Sequence, residues 1–347
     1  MLSVSSGVNA SFLRAGAISV GLLIVASLAA LAVGPVAIAP AKLFAVLGIP
    51  TGAEPAAFER VALLQIRLPR VLLAILVGAA LAVAGAGMQG LLRNPLADPG
   101  LIGVSAGAGL SAAACMVLGL GALLPAQLAL SLASFAGGAA AAWAVMRLSL
   151  VDGRTRVATM LLAGLALNAI AGAGIGFLSY VADDLALRSV ALWMFGSLGR
   201  AGFGELVVAA PLLIATLIAL PLQAQALNAL LLGEAEAQHL GVDVEALKRR
   251  VSVLVVLAVG VSVALAGIIG FVGLLVPHLV RLWSGPDHRR VLPGSMLLGA
   301  LLLLFADTLA RTLFLPAELP IGILTALVGG PFFIALLLRY RDRAELS

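Results

Sequence analysis

The chain is short of the residues that soluble proteins carry at their surface. Charged side chains make up 11% of its 347 residues, against about 25% in an average soluble domain. Lysine occurs only at Lys42 and Lys248, and neither follows a glycine. The Gly-Lys-Ser/Thr phosphate loop is therefore missing, and with it an ATP site of that kind. A single cysteine, Cys115, lies in an apolar run; this excludes a disulfide within the chain and any Cys-based metal or redox motif. The three histidines, His239, His278 and His288, lack metal-ligand spacing. All sixteen acidic residues fall in loops or near the ends of apolar runs, Asp307 being the deepest. Ion-coupled carriers bury a carboxylate or histidine near the bilayer midplane, so proton or sodium coupling is disfavoured.

What is present is apolar: 62% of residues, with a mean hydropathy of +1.17. So few charges cannot clothe a water-facing surface, so lipid is the expected solvent. The net charge of +5 does not point to nucleic acid, because arginines in the cytoplasmic loops of a membrane protein give the same surplus. Crossing a bilayer takes about 20 apolar residues in a helix. Ten runs qualify as spans: 15–39, 68–92, 100–120, 124–147, 156–181, 205–226, 250–269, 270–283, 292–315 and 319–338. The shortest ends at Pro277-His278. The first contains Ala37-Ile38-Ala39, which resembles a signal cleavage site, but its apolar stretch exceeds a signal-peptide core and is read as a retained helix.

Ten spans put both termini on one side. If that side is the cytoplasm, it holds Arg14, Arg93, Arg147, Arg154, Arg156, Lys248, Arg249, Arg250, Arg281, Arg289, Arg290, Arg339, Arg341 and Arg343. The opposite side holds Lys42, Arg60, Arg67, Arg70, Arg188, Arg200 and Arg311. Fourteen against seven favours cytoplasmic termini by the positive-inside rule. Small residues four apart form three rows for close helix packing: Gly78, Ala82, Ala86 and Gly90; Gly103, Gly107 and Ser111; Gly164, Gly172 and Gly176, with Asn168 as a polar member. Asn168 suits an interhelical hydrogen bond or a substrate contact. A faint likeness between residues 100–105 and 320–325 leaves an internal duplication open.

Between two of these spans lies Asn94-Pro95-Leu96-Ala97-Asp98-Pro99, a polar break of the sort tolerated beside membrane helices only where protein or water satisfies its backbone. Gly103-Val-Ser105-Ala-Gly107 matches the hydrolase nucleophile elbow, but sits in a small-residue helix with no histidine in neighbouring spans. Arg67 and Arg70 share a helix face at the outer end of the second span, as snorkelling anchors or as a basic patch for a partner's carboxylates. Asp307 and Arg311 are spaced for an intrahelical ion pair, with Glu318 and Pro320 in the following loop. Residues 227–240 read as one short helix containing Leu232, Gly233, Glu234, Ala235, Glu236, His239 and Leu240, closed by Gly241. Asp243 caps a second short helix ending at Lys248-Arg249-Arg250. The two form a docking surface or an interfacial amphipathic segment.

Arg67-Leu-Pro-Arg70, Asn94 to Pro99, Gly100-Leu-Ile-Gly-Val-Ser105, Gly270-Phe-Val-Gly-Leu-Leu-Val-Pro-His278 and Glu318-Leu-Pro-Ile-Gly322, in this order over residues 60–340, resemble the FecCD-type permease subunits of bacterial iron-chelate, haem and vitamin B12 ABC importers. The resemblance implies an all-α, ten-helix type II importer permease, one transmembrane domain over residues 1–347, in the inner membrane. It implies a homodimer with a path along its axis and two separate ATPase subunits, holding ATP and magnesium, on residues 227–247. A periplasmic binding protein would meet Arg67, Arg70 and Arg311. An inner gate would use Asn94 and Leu96 with the start of the fifth span, where Val157 and Ala158 replace the family's polar residues. No metal site or resident cofactor is implied. The segment Leu187-Arg188-Ser189, Trp193 and Gly196-Ser-Leu-Gly199, with residues 231–240, is more similar to the haemin permeases, which implies haemin as the substrate, with a ferric siderophore or vitamin B12 as the alternative.

Overall fold

A computed structural model describes residues 2–36, 38–120, 124–200 and 202–344. Side chains are described from Arg14 onward, apart from residue 337 and those after Leu338. Ala37 and the side chains of Arg339, Arg341 and Arg343 thus lie outside the described part. Among the described residues the regular structure is helical, apart from an antiparallel hairpin of two-residue strands, β1 Leu150–Val151 and β2 Arg154–Thr155.

The principal helices are α1 Leu2–Ala32, α2 Leu68–Leu92, α3 Val104–Leu118, α4 Ala126–Leu148, α5 Val157–Val181, α6 Asp184–Met194 and α7 Phe203–Ala219. They continue as α8 Ala224–Leu230, α9 Glu234–His239, α10 Val244–Ala266, α11 Val272–Ser284, α12 His288–Ala310 and α13 Ile321–Ala344. Among the described residues, seven helical stretches are long and apolar enough to cross a membrane; α3, α11 and the apolar part of α13 are shorter apolar helices. Each of the ten expected runs therefore contains a helix. Several boundaries shift: the first helix stops at Ala32 and the ninth at Ala310, short of the expected ends, and α10 starts earlier, at Val244. The second span begins earlier than expected, because a short helix Ala57–Val61 and a π-helical turn Ala62–Arg67 lead directly into α2. The eighth, expected over 270–283, is α11, which carries Pro277 internally and runs to Ser284.

The core is built around α2, which is buried along almost its whole length. It packs most extensively on α12, with α10, α11 and α7 completing the sheath. Lipid gives helices no hydrophobic reason to associate, so dispersion between closely approaching backbones must serve, and glycine permits it. Gly78 faces the carbonyl of Gly299 in α12, Gly85 faces the backbone of Gly273 in α11, and Gly90 lies under the ring of His288. Gly107 and Ser111 of α3 likewise meet Gly137 of α4, and Gly164 of α5 meets the carbonyl of Leu101. Gly172 and Gly176, further along α5, have open space beyond them, so that face of α5 is unpartnered within one chain.

A side chain at Gly85 has only backbone to displace. Gly85→Ala is expected to cost about 3 kcal/mol, the upper part of the overpacking range, whereas Gly172→Ala should stay within ~0.5 kcal/mol. Unfolding of the purified protein by denaturing detergent, followed by circular dichroism, checks both; equal midpoints would refute this account of the core.

Candidate functional site

Three regions along the α2 axis carry the chain's polar chemistry. At the Arg70 end, three arginines converge on α1 and α12. α1 has no basic residue in its last turn to meet its orphaned carbonyls. Other elements supply the donors: Arg67 donates to Leu31 O at 2.7 Å, to Ala32 O at 3.0 Å and to Val36 O, and Arg311 donates to Ala30 O. Arg70 grips both oxygens of Asp307 through Nε, at 2.9 and 3.1 Å, and Glu318 through Nη1 at 2.9 Å. Arg67, Arg70 and Arg311 are 5%, 7% and 3% exposed. The three are brought together, and in this chain burial turns their charge to carbonyls and carboxylates inside the fold. The expected intrahelical pair is also secondary, since Arg311 Nε stands 3.8 Å from Asp307, whose close partner is Arg70 on another helix.

At mid-length two helices break. α10 stops at Gly267 (φ 72°), residues 267–270 are unwound, and Phe271 adopts φ 68° before α11 begins. The break is tied to neighbouring chain, as irregular backbone beside membrane helices requires. Ser197 N donates to Ala266 O at 2.7 Å, while Ile321 N and Gly322 N donate to Gly196 O and Phe195 O. A left-handed phenylalanine costs about 1–3 kcal/mol and persists only where its surroundings hold it; here its ring packs on Gly329 and Phe333. Sequence reasoning singled out this residue only as part of a motif, because nothing local demands the conformation. Opposite, Asp98 caps the 3₁₀ turn Pro99–Ile102 through the Gly100 N–H at 2.6 Å, and Pro99 reaches Gly273.

These breaks enclose a cavity of about 500 Å³ between Leu101, Ser105, Asn168, Gly172, Met194 and Phe271. It borders the unpartnered face of α5. Asn168 makes a long 3.4 Å bond to Gly100 O, and its Oδ1 has no partner among the described residues. Ser105 lines the cavity with no histidine beside it, so the nucleophile reading has no base.

At the Arg93 end the polar loop follows the left-handed Arg93 (φ 49°). Asn94 Oδ1 accepts from Leu96 N at 2.9 Å, and both residues are exposed. Val157 is half-buried and Ala158 exposed at the start of α5. The expected helix over 227–240 is two, because Gly233 (φ 124°) breaks it into α8 and α9, and a side chain there would meet the Glu236 carboxylate. The expected short helix after Asp243 is also corrected: Asp243 caps it, but it runs on as α10 with no break at Arg250. Leu232, Ala235, Glu236, His239, Leu240 and Gly241 are exposed around the buried Ala237, while Gly233 and Glu234 are half-buried.

Two polar ties bind this segment to the long helices. Lys248, buried in α10, donates to Glu234 of α9 at 2.9 Å, to Glu245 at 3.1 Å and to Thr155 O of the hairpin at 3.0 Å. Asn228 of α8 donates to Asp287 at 2.6 Å and accepts from His288 N at 2.9 Å, at the head of α12. Burial alone would push the Asp287 carboxyl up; the Arg289 N–H, the Asn228 amide and the nearby arginines instead hold it below the usual carboxylate range.

Removing Lys248 leaves two carboxylates facing each other. Because both are part-exposed, the cost of Lys248→Met is expected at about 1–3 kcal/mol, below that of a fully buried pair. Hydrogen exchange at residues 234–240 should quicken while α2 stays protected; unchanged exchange there would remove Lys248 as the tie.

A profile described as the FecCD transport family matches residues 22–339. Over 81% of its length the chain is 51% identical to the hemin transport system permease protein of Yersinia pestis, covering 84% of that protein. It is 43% identical to the vitamin B12 import system permease protein of Vibrio vulnificus over 82% of the chain and 85% of that relative. A solved structure described as an inward-facing conformation of a metal-chelate type ABC transporter superposes with a TM-score of 0.83 at 30% identity, over 94% of this chain and 99% of the other. The chain is a multi-pass, all-α membrane permease that belongs to the FecCD transport family.

Proposed function

We propose that this chain is the membrane subunit of an ATP-driven importer, and that two copies enclose a path between their α5 faces. The observation that carries this reading is the 500 Å³ cavity beside Phe271 and Asn168, which opens on a helix face with no partner in one chain. Broken helices around a midplane cavity are how membrane carriers bring backbone groups to a pathway. The lining is mostly aliphatic and glycine, which suits a large, flat, apolar chelate. Together with the 51% identity to a hemin permease, this favours haemin as cargo. The B12 permeases at 42–45% identity support cobalamin as the second reading.

With no phosphate loop in the chain, energy comes from separate ATPase subunits that hold ATP and magnesium. They dock on the exposed residues of 232–241, with Leu232, Glu236, His239 and Leu240 at the contact. Lys248 and Asn228 relay that contact to α10 and α12. Asn94 and Leu96, with Val157 and Ala158, form the inner gate; this places the Arg93 end and both termini in the cytoplasm of the bacterial inner membrane. A periplasmic binding protein docks at the Arg70 end. Since Arg67, Arg70 and Arg311 are buried, docking through them proceeds by exchange. Glu318, the half-exposed partner of Arg70, yields to a carboxylate of the incoming protein while Asp307 stays bound.

Reconstituted with its ATPase and binding protein, the complex should accumulate haemin in proteoliposomes when ATP is supplied, and accumulate cobalamin at least about tenfold less, a discrimination of ~1.4 kcal/mol. Uptake driven by a proton gradient without ATPase subunits would overturn the reading. Glu236→Lys with Leu240→Glu should abolish ATPase association and leave the permease folded; retained association would move the docking surface elsewhere.

A further inference from the structure

We propose that the end of α4 and the start of α10 form a binding site for the phosphodiester headgroup of an anionic phospholipid, a role independent of the cargo. The argument begins with one face of α4. Leu132, Ala136, Ala140, Trp143 and Arg147 follow at steps of four, four, three and four residues, and all are exposed. An apolar stripe that ends in tryptophan and then arginine is the pattern of a lipid-facing helix at its water boundary: the indole sits at headgroup level and the guanidinium reaches past it. Trp143 is 69% exposed, which a soluble surface would not favour.

Directly beside this boundary lies a cavity of about 400 Å³ between α4, the β1–β2 hairpin and α10. Trp143, Arg147 and Leu150 line it from one side and Arg249 from the other. Two carboxylates also line it, but each is engaged. Asp243 caps α10 through Ala246 N at 3.0 Å, and Glu245 is held by Lys248 Nζ and by Thr155 N at 2.9 Å. Arg147 and Arg249 have no hydrogen-bond or ion-pair partner among the described residues. Two uncompensated guanidiniums thus face one polar hollow whose rim is apolar and lipid-facing. A phosphodiester with acyl chains running along Leu132 to Trp143 satisfies both halves; a free anion leaves the apolar rim uncovered, and a zwitterionic lipid adds a cation of its own beside the two guanidiniums. Basic pockets between membrane helices at the headgroup level bind acidic lipids in this way. The hairpin that forms the cavity's third wall is tied to α9 through Lys248, so a bound lipid would brace the segment next to the proposed docking surface.

Native mass spectrometry of the full-length protein in detergent tests the site, with phosphatidylglycerol and phosphatidylcholine of equal chain length titrated separately. The wild type should bind phosphatidylglycerol in preference. Arg147→Gln with Arg249→Gln should weaken it about tenfold or more, phosphatidylcholine being unaffected, and the paired lysine variant should restore it. Equal binding of both lipids, or unchanged phosphatidylglycerol affinity in the glutamine variant, would overturn the proposal. So would complete displacement by millimolar inorganic phosphate, which would make it a plain anion site. Loss of ATPase association in the glutamine variant with lipid binding intact would assign the two arginines to a protein interface instead.

Discussion

Close approach to α2 is the constraint from which the rest of the structure follows. Gly78, Gly85 and Gly90 admit α12, α11 and the His288 ring to its surface at three points along its length. Because Gly85 lies inside α2, seven residues before its end at Leu92, the contact with Gly273 fixes the start of α11 within the bundle. A helix that starts there cannot cross the membrane alone, and the break before it is tied to neighbouring chain by the Ser197 N–H on Ala266 O, beside the bonds of Ile321 and Gly322 to residues 195–196. The cavity is the space left beside that break. Packing at α2 thus places the proposed pathway without any residue in it being specified for substrate.

The same hub separates two polar ends. At one, the carbonyls that α1 cannot cap are held by Arg67 and Arg311, and Arg70 bridges α2 to Asp307 of α12 and to Glu318. At the other, Asn228 and Lys248 hold α8 and α9 to the heads of α12 and α10. α12 therefore carries a tie at each end, Asp287–His288 and Asp307, and lies along α2 between them. A rigid α2–α12 pair with ties at both ends is a physical route by which events at one membrane face bias the other, and α5, with its open face, is the element free to answer.

Much of this was legible in the sequence. The ten apolar runs, the rows at Gly78, Gly107 and Gly164 and the Asp243 cap needed only hydropathy and spacing, whereas the grouping of Arg311 with Arg67 and Arg70 came from the family resemblance. What was not legible depended on contacts between distant segments. Spacing offered Arg311 as the partner of Asp307 because i,i+4 geometry is local, whereas Arg70 lies 237 residues away. Burial of the three arginines needed the carbonyls of α1. The break at Gly233 was hidden because Leu227 to Leu240 has helical composition throughout, and only the φ of 124° reveals it. Phe271 carried no signal, since a left-handed phenylalanine is imposed by Gly329 and Phe333 from another helix.

The central claim is a path between two α5 faces that is gated at the Asn94–Leu96 end. The most direct measurement is the distance between nitroxide labels at Leu96 in the two copies of the reconstituted complex, by pulsed electron resonance, in the nucleotide-free state and with a trapped ATP analogue. The account predicts two distinct distance distributions, one for each nucleotide state, and a path that opens and closes at Leu96. A single distribution unchanged by nucleotide, or one too long for the two loops to face each other, would contradict it.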